Sequence, residues 1–153
     1  MLKIFALNSS KQVIILRFPI VVGKNSKNNI VDNFAETILN RKELKVYGTG
    51  KYKRNIMHVD DAVKVILKLC FLNRFKKKYE IFNVGSSNSM SILKIILLIR
   101  EIMNSKLKIK KIKNLRRANY HSVISLRKIK KIINYNPLTT RNAIIKLIKN
   151  KYL

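Results

Sequence analysis

Cysteine is almost missing from this 153-residue chain: Cys70 stands alone. A single thiol excludes an intramolecular disulfide framework, and with only two histidines it leaves no closed zinc set. Long apolar runs are also missing. The longest uninterrupted one, residues 95–99, is far too short to span a bilayer. The opening Ile4-Phe5-Ala6-Leu7 is cut off by Asn8-Ser9-Ser10-Lys11, too soon for a secretory signal, so the cytoplasm is the expected compartment. Acids are scarce, seven against 34 basic residues, which gives a net charge of +27. What remains is globular: 47% hydrophobic and 27% charged residues exclude a disordered tail, and the length suits one domain with a real core.

The charge alone suggests a nucleic-acid binder. Composition argues otherwise. Lysine (25), isoleucine (23) and asparagine (17) all have A- and T-rich codons, so a biased genome raises them together whatever the protein does. Arginine, the better reader of phosphates and bases, occurs only nine times. The lysines spread along the whole chain, although 15 basic residues and no acid follow Glu101. Nucleic acid is therefore not the expected partner.

Periodicity predicts a mixed order of strands and helices. Residues 11–18 form a near-continuous apolar run with β-branched residues, the pattern of a strand covered on both faces. Residues 19–29 read as a loop. A helix is expected over 29–40, capped by Asn28 or Asn29, and a short strand over 44–47 ends at Gly48-Thr49-Gly50. Asp60 or Asp61 is expected to cap a helix whose apolar stripe runs through Ala62-Val63, Ile66-Leu67 and Cys70-Phe71. A strand over 79–84, a helix over 92–103 capped by Ser89 or Ser91, an exposed strand over 107–112, and helices over 125–134 and 140–151 complete the pattern. Such an order implies α/β or α+β architecture with long parallel crossovers.

Three segments carry more than periodicity: Arg17-Phe18-Pro19-Ile20-Val21-Val22-Gly23, then Tyr47-Gly48-Thr49-Gly50 running through Arg54-Asn55 to His58-Val59-Asp60-Asp61, then Asn83-Val84-Gly85-Ser86. A fourth, Lys128 with Ile133-Asn134-Tyr135 and Pro137, follows in register. In this order and spacing they resemble the C-terminal half of the extended short-chain dehydrogenase/reductases, the NAD-dependent sugar-nucleotide epimerases and dehydratases. The resemblance implies an α/β fold in two parts. Residues 1–23 would be the remnant of a Rossmann domain, the end of the catalytic helix and the last core strand, with the NAD-binding part absent. Residues 24–153 would be the small mixed α/β substrate-binding domain.

It also implies roles. Arg54 would grip the diphosphate of a nucleoside-diphosphate sugar, and Arg117 would be a second phosphate-binding arginine. The guanidinium fork gives directed bonds there, where lysine offers a point charge. Asn29 and Ile30 would meet the nucleotide and its sugar, Lys45, Val46 and Tyr47 would line the base, and Pro19 would lie against the cofactor. NAD serves the full-length relatives. Here Gly23 is the first glycine, no glycine-rich dinucleotide turn exists, and no Tyr-x-x-x-Lys pair precedes Arg17, so the chain alone is expected to be catalytically inactive and to bind no NAD. The sequence departs from the family pattern at Ile20, at Asn55 (usually aspartate), at Tyr120 (an acid) and at Asn134 (glycine, a left-handed position that asparagine tolerates).

Plainer readings stand beside these. Outside the motif Arg54 is one exposed charge among many, Tyr47 a core residue, His58 a packing residue beside a helix entrance, Asp61 a helix cap, and Cys70 buried and inert. The function expected is a partial sugar-nucleotide epimerase/dehydratase that retains recognition of its nucleotide, with a separately encoded Rossmann half as a possible partner. The alternatives are a small basic module for nucleic acid or anionic surfaces, and a non-catalytic subunit completing a partner enzyme.

Overall fold

The computed structural model describes residues 1–72, 75, 77–113 and 120–153. Helix α1 (Leu2–Leu7) leads into β1 (Val13–Arg17) and β2 (Ile20–Val22). Then come α2 (Ile30–Leu39), β3 (Leu44–Tyr47), β4 (Lys53–Arg54), β5 (Ile56–His58) and α3 (Val59–Cys70). Strands β6 (Tyr79–Asn83) and β7 (Met90–Ser91), helix α4 (Ile92–Ile102), β8 (Ile109–Ile112), α5 (Arg127–Lys130) and α6 (Thr140–Lys151) complete the order. Mixed α/β architecture is thus as expected. Three of the four strand pairs are parallel and join distant segments: β1 with β6, β2 with β5, and β3 with β8. The fourth, β4 with β7, is antiparallel.

Several expectations are corrected. The stretch 19–29 is not all loop, because β2 follows Pro19 and takes a new partner. Proline has no N–H for a ladder, so the chain changes partner there, from β6 to β5. Strand β1 is half-buried rather than covered on both faces. The helix expected over 125–134 is only α5, and Asn134 is not among the left-handed residues, which among the described ones are Asn28, Arg41 and Asn104 besides two glycines. Cys70 is exposed. Helix α3 buries Asp61, Ala62, Val65 and Leu69, which turns Val63, Leu67 and Cys70 outward.

Two apolar clusters hold these elements. One joins α2, α4 and α6 around Ala35, Leu44, Ile95, Ile99, Ile144 and Leu147. The other joins α3, β6 and α5 around Val65, Phe82, Ile129 and Tyr135. Helix starts follow from side chains that accept otherwise unpaired N–H groups. Asn29 Oδ1 accepts from Val31 N and Asp32 N, both at 3.0 Å, while Ser91 and Thr139 cap α4 and α6. The cap of α3 is neither Asp60 nor Asp61 but His58, whose Nδ1 accepts from Asp60 N at 3.2 Å. Asp61 instead accepts from Leu138 N at 2.9 Å and so ties α3 to the chain before α6.

His58 can cap only while its Nδ1 is unprotonated. Burial holds its pKa below the ordinary imidazole value, against the opposing pull of Asp60 and Asp61 and with help from Lys146 and Lys64. The unfolded chain therefore takes up this proton first as pH falls. Stability contributed by His58 is present above pH 6.5 and is lost as pH drops from there toward the folded-state pKa. We expect a lower urea midpoint at pH 5 than at pH 7. His58→Asn, which keeps a good cap without titrating, should flatten that difference. An unchanged pH dependence in the variant would contradict this assignment.

Candidate nucleotide-binding cleft

The first turns of α2, strand β3 and the entrance of α4 enclose a cleft of about 410 Å³. Ile30 and Phe34 form one wall because they lie four residues apart on α2. Lys45, Val46 and Tyr47 form another, and Tyr52, Arg54 and Ile92 close the end. Below Tyr47, the chain turns sharply through Gly48 and Gly50, both at φ +66°. A Cβ on Gly50 would stand 2.9 Å from Val46 Cγ1 and 3.1 Å from Leu93 Cβ, so this turn needs glycine. Val46 is buried, while Tyr47 and Tyr52 are half-buried where they line the cleft.

Arg54 stands at the polar end. Its Nη1 donates to the carbonyls of Lys53 (2.9 Å) and Tyr120 (2.6 Å), and the guanidinium lies 4.8 Å over the Tyr120 ring. Nη2 makes no hydrogen bond to the described residues. The segment after Tyr120 is fastened to the same strand: Lys53 N donates to His121 Nδ1 at 3.3 Å and Ser122 N to Lys53 O at 2.9 Å. The His121 ring also tilts against Tyr52, with centroids 5.7 Å apart. At the opposite rim, Glu43 lies between Lys110 (3.2 Å) and Lys45 (3.5 Å), and the Lys110 bond above all holds its carboxyl below the usual range.

The structure thus brings Ile30, Lys45, Val46, Tyr47 and Arg54 to one cleft. Asn29 adjoins it, but its side chain is spent on capping α2 and on bonds to Ser26 and Asp32. Pro19 lies between β1 and β2, away from this cleft, and Arg117 falls outside the described residues. Sequence reasoning missed Asn33, Phe34, Thr37, Glu43, Tyr52 and Ile92 as lining residues. The helical spacing of Ile30, Phe34 and Thr37 was a usable signal for one wall; nothing local marks Ile92.

Residues 2–85, more than half of the chain, match the NAD dependent epimerase/dehydratase family. The chain belongs to that family. A Methanocaldococcus jannaschii protein is 31% identical over 141 residues, which are 90% of this chain and 42% of that one. The Bacillus subtilis protein YtcB, an uncharacterized UDP-glucose epimerase by name, is 25% identical over 129 residues, 84% of this chain and 40% of its own. Two solved structures share the fold. The Thermotoga maritima UDP-glucose 4-epimerase, solved with UDP-glucose, aligns with a TM-score of 0.82 at 21% identity, over 97% of this chain and 48% of its own. The Bacillus cereus UDP-glucuronic acid 4-epimerase, in complex with UDP-glucuronic acid and NAD, aligns with a TM-score of 0.84 at 18% identity over the same shares. The chain spans less than half the length of these relatives.

Family membership makes the buried polar network beside Arg54 informative. Asn55 donates from Nδ2 to the carbonyls of Ser86 (3.1 Å) and Asn88 (2.8 Å), and its Oδ1 accepts from Ser86 N at 2.9 Å. Tyr135 OH donates to Gly85 O at 2.7 Å, and burial raises its pKa well above the ordinary phenol value. The second, third and fourth motif segments therefore meet in one place. Two carbonyl acceptors demand a donor, which the family's aspartate lacks when ionised and asparagine supplies. Asn55→Asp should destabilise the chain by about 3 kcal/mol at pH 7, by removing two buried donors and facing a charge with carbonyls. A urea midpoint equal to that of the native chain would refute this network.

Among the described residues there is no cluster of three or more His, Cys, Asp or Glu side chains able to hold a metal. Among the described residues, too, no helix is long and apolar enough to cross a membrane.

Proposed function

We propose that the chain is the nucleotide-recognising half of a sugar-nucleotide epimerase/dehydratase and that its cleft takes a nucleoside diphosphate sugar. Residues 1–23 would continue the sheet of the other half, and 24–153 would form the substrate domain. The observation that carries this reading is the placement of Arg54, in the register of the family motif, at the polar end of a cleft walled by Phe34, Val46, Tyr47 and Tyr52. Aromatic and aliphatic walls suit a base and ribose, and a half-buried guanidinium whose Nη2 makes no hydrogen bond to the described residues suits a diphosphate. In a complete relative the cofactor carries the redox chemistry while the protein orients the sugar. Lacking the glycine turn and the Tyr-x-x-x-Lys pair, the chain alone should turn over no UDP- or dTDP-sugar with added NAD.

The rival reading is a general polyanion binder, favoured by the 15 basic residues that follow Glu101 without an acid. Titrating UDP and single-stranded DNA at low and moderate salt separates the two. One saturable UDP site per chain, weakened little by salt, supports the cleft. DNA binding that falls steeply with salt, with no UDP site, supports the rival and overturns the proposal.

A further inference from the structure

Arg54 does not reach its place unaided. Its guanidinium leans on Tyr120, a residue outside the lining of the cleft and 66 positions further along the chain. The stretch Tyr120-His121-Ser122 has no helix or strand of its own, yet three bonds moor it, and none of them uses the Tyr120 or Arg54 side chain. Lys53 N donates to His121 Nδ1, Ser122 N donates to Lys53 O, and Ser89 Oγ donates to Ser122 O at 3.2 Å. Ser89 is reached in turn by Asn55 Nδ2 at 3.4 Å, so the mooring extends to buried Asn55.

From this fixed base Tyr120 holds the guanidinium in two ways. Its carbonyl accepts from Nη1 at 2.6 Å, and its ring centroid lies 4.8 Å from Cζ. Burial does not account for the ring's position: Tyr120 is 60% exposed and belongs to neither apolar cluster. These two contacts and the Lys53 carbonyl occupy Nη1 and one face of the guanidinium, and they leave Nη2 without a bond to the described residues. A ring orients a cation without cancelling its charge, whereas a carboxylate would cancel it, so attraction for an anion is kept. A long side chain held before its ligand arrives also gives up less freedom on binding.

We infer that Tyr120 is a positioning residue of the nucleotide site: its ring and carbonyl preset the Arg54 guanidinium so that Nη2 meets the diphosphate. The inference rests on the nucleotide reading of the cleft, but the two fail differently.

UDP titration of the full chain and three Tyr120 or Arg54 variants, with NMR of the Arg54 side chain, tests it. Before any UDP is added, the Arg54 side-chain protons of the native chain should carry an upfield ring-current shift. Tyr120→Leu keeps the carbonyl and the moorings but removes the ring. That shift should vanish, and UDP affinity should fall about two- to fivefold, the worth of an exposed cation–π contact. Tyr120→Phe should restore both the shift and the affinity. Tyr120→Leu placed in Arg54→Ala should cost nothing further, because Tyr120 acts only through that guanidinium; a merely structural residue would cost the same in either background. Four results would overturn the inference while a saturable native UDP site keeps the cleft reading. They are no ring-current shift in the native chain, native affinity in Tyr120→Leu, a loss in Tyr120→Phe as large as in Tyr120→Leu, and a full further loss in the Arg54→Ala background. No saturable UDP binding by the native chain would overturn both.

Discussion

Lys151→Met is expected to destabilise the chain by about 3–5 kcal/mol, the range for removing one partner of a buried ion pair. Asp32 is fully buried at the start of α2 and accepts from Lys151 Nζ (2.9 Å), Tyr152 OH (2.7 Å), Ser26 Oγ (3.2 Å) and Asn29. Lys151 is itself largely buried and also donates to Ser26 O. Without the ammonium, the fully buried carboxylate loses its only countercharge among the described residues. Burial and Asp32 together raise the pKa of the Tyr152 phenol, so it stays a neutral donor and cannot replace that charge. Lys110→Met, which removes an exposed partner of Glu43, should cost far less, because solvent screens that pair. Urea denaturation of both variants gives the comparison. Equal small effects would mean that Asp32 is not held as described. Adding Asp32→Asn to Lys151→Met should recover part of the loss, because the buried charge is then gone.

Arg54→Ala should weaken nucleoside-diphosphate binding by roughly tenfold or more, the loss of one charge-assisted bond worth about 1.5–3 kcal/mol. Arg54→Lys should lie nearer to Ala than to the native chain, because lysine lacks the fork that holds Tyr120 O with one nitrogen while offering another to phosphate. Lys77→Ala, a surface change away from the cleft, should alter affinity little. Calorimetric titration of UDP into the three variants reads all of this. Equal losses for Arg54→Ala and Lys77→Ala would remove Arg54 from the site.

Much of the fold could be read from the sequence because its long elements are strongly periodic and well capped. Helices α2, α4 and α6 begin at Asn29, Ser91 and Thr139, side chains whose oxygens accept the first free N–H groups. The two- and three-residue strands β2, β4, β5 and β7 escaped notice, since so short a run carries no period and exists only through its partner. Helix α3 misled in another way. Both of its faces are apolar, so periodicity could not say which is inside; β5 and β6 decide that, and Cys70 falls on the outer one. The cleft was half legible. Arg54 and Tyr47 announced themselves through motif spacing, but Tyr52 and Ile92 join them only because Ile92 N bonds to Tyr52 O and Leu93 N to Gly50 O, closing α4 onto the turn.

The central claim is that this cleft holds a nucleotide, and amide NMR of the full chain during titration with UDP tests it most directly. The account predicts saturable shifts at Ile30, Phe34, Tyr47, Tyr52 and Arg54, all lost together in Arg54→Ala. Shifts confined to the lysine-rich stretches 106–113 and 127–131, or no saturable shifts at all, would contradict it.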